Sequence, residues 1–272
     1  MTDETTPPLL PEAKLADLPE KLRQGAAQAG WTELMPVQAK AIPYLFARQD
    51  MMIQSRTGSG KTGAYLLPIF EMVNARQPHA QALVLVPTRE LALQVATEAA
   101  ILGRETGVRS IAVYGGVGYG EQLDAFKAGA HLVIGTPGRI LDHLMRRSLT
   151  LDHLHMLIFD EADRMLSMGF YPDMVRVQAY IDREHRPSTF MFSATFPAQV
   201  LSLANQFMRQ PGFINLSSDH IHVAETEHVF YQTPGMDKDR SLVRIIEVEN
   251  PLSAIIFCNT KAHVDYVSTV LQ

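Results

Sequence analysis

The run Ser55-Arg-Thr-Gly-Ser-Gly-Lys-Thr62 restricts the folding choices of this chain more than any other segment. It follows a short apolar stretch, Asp50–Gln54, that reads as a strand, and leads into a helical pattern over Ala64–Asn74. Gly58 and Gly60 let the backbone curl so that successive N–H groups face one point, and the helix adds its positive end. A phosphate chain fits such a loop, made of Ser55, Arg56, Thr57, Gly58, Ser59 and Gly60. Lys61 would then reach the β and γ phosphates, and the Thr62 hydroxyl would hold Mg²⁺. Ser55 stands where the usual pattern has its first glycine, a change between small residues. Gly-Ser-Gly also occurs in linkers, but a chance Thr-Gly-x-Gly-Lys-Thr in a chain of this length has odds on the order of 10⁻⁴.

Around this loop, short apolar runs alternate with amphipathic ones. Strands are expected at Asp50–Gln54, Ala82–Val86, Ser110–Val113, His131–Ile134, Met156–Phe159 and Thr189–Phe192. Helices are expected at Ala64–Asn74, Arg89–Leu102, Gly120–Ala128, Arg139–Arg147 and Ala198–Met208, after a first one over 15–29 that Gly30 stops. The alternation of buried strands with helices indicates an α/β fold, a parallel sheet with helices on both faces. With 46% apolar and 19% charged residues a sizeable core is available. Residues 1–12 read as a frayed arm. The first domain is expected to occupy 1–218 and a polar linker 219–227. From 228 to 272 the pattern restarts, with strands His228–Gln232 and Ala254–Phe257 and helices Lys238–Val248 and Lys261–Leu271. These 45 residues are too few for a stable isolated sheet and read as an incomplete second domain.

Asp160-Glu-Ala-Asp163 follows the apolar strand His155–Phe159 directly. Ligands of open α/β sheets gather at the carboxyl ends of strands, which puts these acids beside the phosphate loop. Asp160 suits Mg²⁺ coordination through water, and Glu161 can polarise an attacking water. Acids at a helix N-terminus are also common for structural reasons. The pairing with Lys61 and Thr62 favours catalysis.

Ordered along the chain with these two motifs are Gln38 in Gly30–Gln38, Pro87-Thr-Arg-Glu-Leu91, Gly115-Gly116 with Gln122, Thr136-Pro-Gly-Arg139, Ser193-Ala-Thr195 and Ile256-Phe-Cys-Asn-Thr260. In this order they resemble the DEAD-box ATP-dependent RNA helicases from about residue 15 to the end. Tyr114–Gln122 is further similar to the bacterial heat-resistant RNA-dependent ATPase (Hera) subgroup. The resemblance implies a RecA-like P-loop NTPase domain followed by the start of a second RecA-like domain, with ATP, Mg²⁺ and RNA as ligands. It implies that Lys61, Asp160, Glu161, Asp163, Ser193 and Thr195 serve catalysis, with Ser193 and Thr195 coupled to the ATP site through Asp163. Ser-Ala-Thr at a strand end would also make local hydrogen bonds. It implies that Gln38 reads adenine, whose N6 and N7 suit an amide donor and acceptor. Pro87, Thr88, Arg89, Gly115, Gly116, Gln122, Thr136, Pro137, Gly138 and Arg139 would contact the RNA backbone, leaving its sequence largely unread.

Charge agrees with placed contacts rather than a bulk field. The net charge is −5, and residues 30–218 hold 17 basic against 16 acidic groups. Two departures stand out. The family aromatic that stacks on adenine falls 17 positions before Gly30, at Ala13, and Leu34-Met35 replaces the usual Pro-Thr. Trp31, the only tryptophan, is expected to pack the first helix on the core. Motifs that would carry arginines to the γ-phosphate are not present, so this chain alone is expected to bind nucleotide and be nearly inactive. The alternatives are a non-catalytic ATP-gated RNA clamp or assembly platform, and a DNA helicase. No apolar run could span a membrane, the acidic start lacks signal-peptide character, and lone Cys258 excludes an internal disulfide framework, so the cytoplasm is expected. Open strand edges in the partial domain could invite association between chains.

Overall fold

A computed structural model describes residues 10–182, 184–216, 227, 229–233 and 238–271. The chain divides into two compact units, Met1–Ile221 and His222–Gln272. The larger is built on seven parallel strands: β1 (Met51–Gln54), β2 (Ala82–Leu85), β3 (Ser110–Val113), β4 (Leu132–Gly135), β5 (Met156–Asp160), β6 (Ser188–Ser193) and β7 (Gly212–Asn215). Their order is β3-β4-β2-β5-β6-β1-β7. The strands β2, β4 and β5 are buried along their whole length, the signature of a parallel sheet covered on both sides. Successive side chains divide between two cores. Ala82, Val84 and Val86 pack with Ile42, Leu66 and Val95, while Leu83 and Leu85 pack with Ile140, Met174 and Leu203.

The helices of this unit are α1 (Glu20–Gln28), α2 (Pro36–Phe46), α3 (Lys61–Met72), α4 (Arg89–Leu102), α5 (Gly120–Lys127), α6 (Pro137–Met145), α7 (Ala162–Ser167), α8 (Tyr171–Gln178) and α9 (Ala198–Phe207). β3 and α4 have the expected limits, and the other expected elements of this unit shift by a few residues at most. The first helix is the exception. Leu15–Asp17 is a single 3₁₀ turn, Pro19 stands in an extended conformation, and α1 begins after it. Leu18 and Leu22 remain buried, so the apolar spacing survives the break. Gly30, with φ of 78°, ends α1 as expected. Its N–H donates to Ala27 O and that of Trp31 to Ala26 O, which fixes where Trp31 leaves the helix.

Five elements were not foreseen: α2, with Pro36 at its start and Pro43 inside it, the 3₁₀ turn Arg104–Thr106, the short helices α7 and α8, and the edge strand β7.

In the smaller unit, α10 (Lys238–Glu249) and α11 (Lys261–Val270) match the expected helices. The two expected strands are corrected. Neither 229–232 nor 254–257 is a strand; Ile255 and Phe257 are exposed, and no described segment pairs with them. An extended run becomes a strand only when a neighbour completes its hydrogen bonds. The start of the expected arm, His228 and all of the expected linker except Glu227 lie outside the described residues. No helix among the described residues is long and apolar enough to cross a membrane.

Candidate functional site

Register aligns the carboxyl ends of three neighbouring strands. Gln54 of β1 pairs with Ser193 of β6, and Asp160 of β5 pairs with Phe192. The segments that follow β1, β5 and β6 therefore emerge side by side. They are the glycine loop, Asp160–Asp163 and Ser193–Thr195.

The loop is built by its glycines. Gly58 and Gly60 have φ of 77° and 89°, and Gly60 caps α3 from the left-handed region. A side chain at Gly60 would also meet Met35 Sδ at 2.5 Å. Ser55 is buried, and its N–H donates to Ser193 O at 3.0 Å, tying the loop to β6. The Ser55 and Ser59 hydroxyls bond each other, and Ser59 Oγ donates to Arg56 O at 2.8 Å. Lys61, 6% exposed, crosses the loop to donate to Ser55 O at 3.2 Å. Arg56, Thr57 and Gly58 are exposed at the tip.

Gln38 is 1% exposed and bolts α2 to this loop. Its Oε1 accepts from Met35 N at 2.9 Å, and its Nε2 donates to Gly60 O at 3.1 Å. Gln38 and Trp31 stand beside Gly63, where an added Cβ would fall 2.2 Å from the indole. Ala13 packs on the core, with its N–H donating to Ala39 O, next to Gln38 in sequence.

The cleft of about 710 Å³ beside the loop is lined by Trp31, Met35, Gln38, Thr57, Gly58, Gly60, Lys61, Thr62, Asp160 and Glu161, and by residues the motifs did not mark, among them Gln94, Glu98 and Arg164. Asp160 is 3% exposed. Its Oδ2 accepts from Tyr65 Oη at 2.9 Å, while Oδ1 is buried with no partner among the described residues. Burial pushes its carboxyl above the usual range, and Lys61 opposes the shift. Burial also raises Glu98, tempered by the Thr62 hydroxyl and reinforced by the charge of Asp160. Glu161 has a φ of 54°, a strained conformation for a residue with a side chain, and pairs with Arg164 at 3.3 Å.

Asp163 links two strand ends. Its Oδ2 accepts from Thr195 N at 3.0 Å and Thr195 Oγ1 at 2.7 Å, and its own N–H donates to fully buried Ser193 Oγ at 3.1 Å. Burial would raise this carboxyl, but the bonds from Thr195, Ser193 and the Arg164 N–H together hold it below the usual range.

The other expected residues follow β2, β3 and β4, neighbours on the far half of the same edge. Thr88 caps α4, accepting from Leu91 N at 3.2 Å, and exposed Arg89 stacks on Tyr114 at 4.9 Å. Gly115 and Gly116 are exposed with open space around them. Thr136 caps α6, and half-buried Gly138 lies in its first turn. Arg139 donates to Val117 O at 2.6 Å and stacks on Tyr119 at 4.2 Å, so a phosphate would have to compete with that carbonyl. Three members are buried in this structure. Pro87 and Pro137 are buried, and Gln122 is 3% exposed, donating to Tyr114 O at 3.2 Å and meeting His143 Nε2 at 2.8 Å. Gln122 braces the glycine-rich loop from beneath.

A strand, a left-handed glycine loop and a helix at the carboxyl edge of a parallel sheet define the P-loop class of α/β domains. The family description "DEAD/DEAH box helicase" matches residues 35–203. The chain belongs to that family, and Asp160-Glu-Ala-Asp163 supplies its name. It is 36% identical over 255 residues to the DEAD-box ATP-dependent RNA helicase CshA of Bacillus licheniformis, covering 94% of this chain and 52% of the relative. It is 38% identical to the ATP-dependent RNA helicase CshA of Listeria monocytogenes, covering 94% and 49%. The chain thus spans about half the length of the curated relatives it matches. A crystal structure of a DEAD box protein from Methanococcus jannaschii superposes with a TM-score of 0.71 at 32% identity, covering 94% of this chain and 68% of that one. The RecA-like α/β expectation holds. The narrower Hera likeness gains no support from these relatives.

Proposed function

We propose that this chain is the ATP-binding part of an RNA helicase that uses ATP hydrolysis to unwind or remodel RNA duplexes. One observation carries the reading. Asp160 presents a buried carboxylate oxygen, without a partner among the described residues, in the cleft that holds Lys61, Thr62 and Glu161. A divalent cation fits that oxygen, with Thr62 and Asp160 as the residues that would hold it. When bound, Mg²⁺ would neutralise phosphate charge. Among the described residues no group of three or more His, Cys, Asp or Glu could hold a metal, which suits an ion that keeps waters and takes phosphate oxygens.

In this reading Lys61 exchanges the Ser55 carbonyl for the phosphates. Glu161, held by Arg164, orients the attacking water and accepts its proton. Gln38 reads adenine. Thr88, Arg89, Gly115, Gly116, Thr136, Gly138 and Arg139 take the RNA backbone, with Gln122 as a support. Asp163, bonded to both Ser193 and Thr195, joins the strand end carrying the acids to its neighbour. The relatives, ATP-dependent RNA helicases by name, support ATP and RNA as ligands. We further assign 228–272 to the opening of a second RecA-like domain, and the protein to the cytoplasm.

The test is RNA-stimulated phosphate release. A chain extended by a complete second domain should turn over ATP faster with RNA, and Glu161→Gln should abolish that turnover. ATP-dependent RNA retention without turnover would instead favour a nucleotide-gated clamp.

A further inference from the structure

The helix α4 lays Leu91, Gln94 and Glu98 along one face, and all three line the nucleotide cleft. Glu98 belongs to none of the sequence motifs. Its position is informative because of what surrounds Thr62. A threonine hydroxyl has one proton and two lone pairs, and only a lone pair can hold a cation. The proton must therefore be taken by another group. Thr62, Glu98 and Asp160 line the same cleft, and the Thr62 hydroxyl opposes the upward shift of the Glu98 carboxyl. The proton of Tyr65 is already donated to Asp160 Oδ2, at 2.9 Å. Glu98, in the wall of the same cleft, is an anionic acceptor for the Thr62 proton that leaves Asp160 to the cation. Behind the same hydroxyl, Asp160 is 3% exposed and its Oδ1 has no partner among the described residues.

Resting on the nucleotide reading of this cleft, we propose that Glu98 is a positioning residue for the divalent-cation site: its carboxylate accepts the Thr62 proton, leaving a Thr62 lone pair for a cation shared with Asp160. Its charge has a second effect. Glu98 and Asp160 both repel a nucleotide's phosphates until a cation stands between them. Glu98 therefore weakens nucleotide binding without the cation and strengthens it with the cation. A side chain that merely supported the fold would act in the same direction under both conditions.

The experiment is titration of ADP into the 272-residue chain in Mg²⁺ and in EDTA, read by calorimetry and by the fluorescence of Trp31, the only tryptophan and a residue of the cleft wall. The quantity of interest is the ratio of the two dissociation constants. Glu98→Gln should lower that ratio about tenfold, tightening ADP in EDTA and loosening it in Mg²⁺. A thermal unfolding scan checks that the variant is folded. Glu98→Asp keeps the charge but withdraws the carboxylate by one methylene, so it should recover less than half of the lost ratio on a logarithmic scale. An unchanged ratio in Glu98→Gln, or equal weakening in both buffers, overturns the proposal. Full recovery in Glu98→Asp also overturns it, since charge alone would then suffice. Absence of ADP binding by the unaltered chain in either buffer would instead overturn the nucleotide reading beneath it.

Discussion

Replacing Gln38 with alanine separates the bracing that its amide performs from the adenine reading proposed for it. In the structure its Oε1 accepts from Met35 N and its Nε2 donates to Gly60 O, so the first turn of α2 holds the phosphate loop. Each end uses half of its capacity, because an amide has two N–H groups and two carbonyl lone pairs. The second N–H can still meet adenine N7, and the second lone pair can still accept from N6. Gln38 can therefore brace the loop and read the base together. Truncation removes two partly buried hydrogen bonds, worth about 1 kcal/mol each. It also removes a buried methylene, about 0.8 kcal/mol. A loss of about 3 kcal/mol should lower Tm by roughly 6–12 °C for a domain of this size. Base recognition should fall independently. A bidentate contact discriminates by about 1–3 kcal/mol, so the preference for ADP over GDP should drop from roughly 10- to 100-fold towards unity. Thermal unfolding measures the first effect, and calorimetry with both nucleotides, well below the lowered Tm, measures the second. An unchanged ADP preference beside a lowered Tm would refute adenine reading by Gln38. An unchanged Tm would refute the brace.

Lys61→Ala should lose ADP binding, whereas Glu161→Gln should retain it, because the lysine acts on bound phosphates and the glutamate on the attacking water; tight calorimetric binding by the lysine variant would contradict the assignment. Ser193→Ala leaves the Asp163 N–H without its partner at 3.1 Å and should cost about 1–2 kcal/mol in urea unfolding with ADP affinity little changed. Burial lowers the pKa of His131, His143 and His155, so between pH 6.5 and 5.5 the unfolded chain takes up protons that the folded chain refuses. Stability contributed by these groups is full above the unfolded value near 6.5 and declines below it, by up to about 1.4 kcal/mol per pH unit for each group. Raised carboxyls such as Asp50 and Glu98 oppose that slope as they protonate in the fold. Urea midpoints across this range should show a smaller histidine contribution in His143→Gln, and identical slopes would sink the idea.

The main sheet was legible because its strands are apolar on both faces and its loops carry glycines at positions that need them. β2, β4 and β5 read as continuous apolar runs, and Gly58 and Gly60 do adopt positive φ. What escaped lacks such a signal. β7 is an edge strand with only Gly212 buried, so its sequence shows neither alternation nor a continuous run. α2 was hidden by its two prolines, although Gln38 at its third position is the residue that ties it to the loop. Among site residues, Glu98 and Tyr65 act through tertiary neighbours 36 and 95 positions away in sequence, Thr62 and Asp160 respectively. No local spacing could mark them. The expected strands of 228–272 failed for a complementary reason: a strand needs a partner, which a local pattern does not supply.

Sheet order suggests how the two ligand regions could communicate. The nucleotide segments follow β5, β6 and β1, and the proposed RNA segments follow β3, β4 and β2, so the boundary falls between β2 and β5, which are hydrogen-bonded neighbours. The helix leaving β2 is α4. Its cap, Thr88, and first residue, Arg89, stand at the proposed RNA side, while Glu98 lines the nucleotide cleft with Thr62. Ten residues of helix separate Thr88 from Glu98, about 15 Å. Leu91 and Gln94 fill the interval along the cleft wall, and Ala92, Val95 and Ala99 anchor the adjoining face in the core. A rigid helix anchored in this way transmits displacement rather than absorbing it. If RNA phosphates pull on the α4 N-terminus, the carboxylate at its other end must move relative to Thr62 or the core must repack. Combining Arg89→Ala with Glu98→Gln measures this directly, through the effect of RNA on ADP affinity in Mg²⁺. Coupling through α4 requires that the RNA effect left in Glu98→Gln be no further reduced by Arg89→Ala. Strictly additive losses would mean that each end acts alone, and the route between the two sites would then have to run through Asp163 and the end of β6.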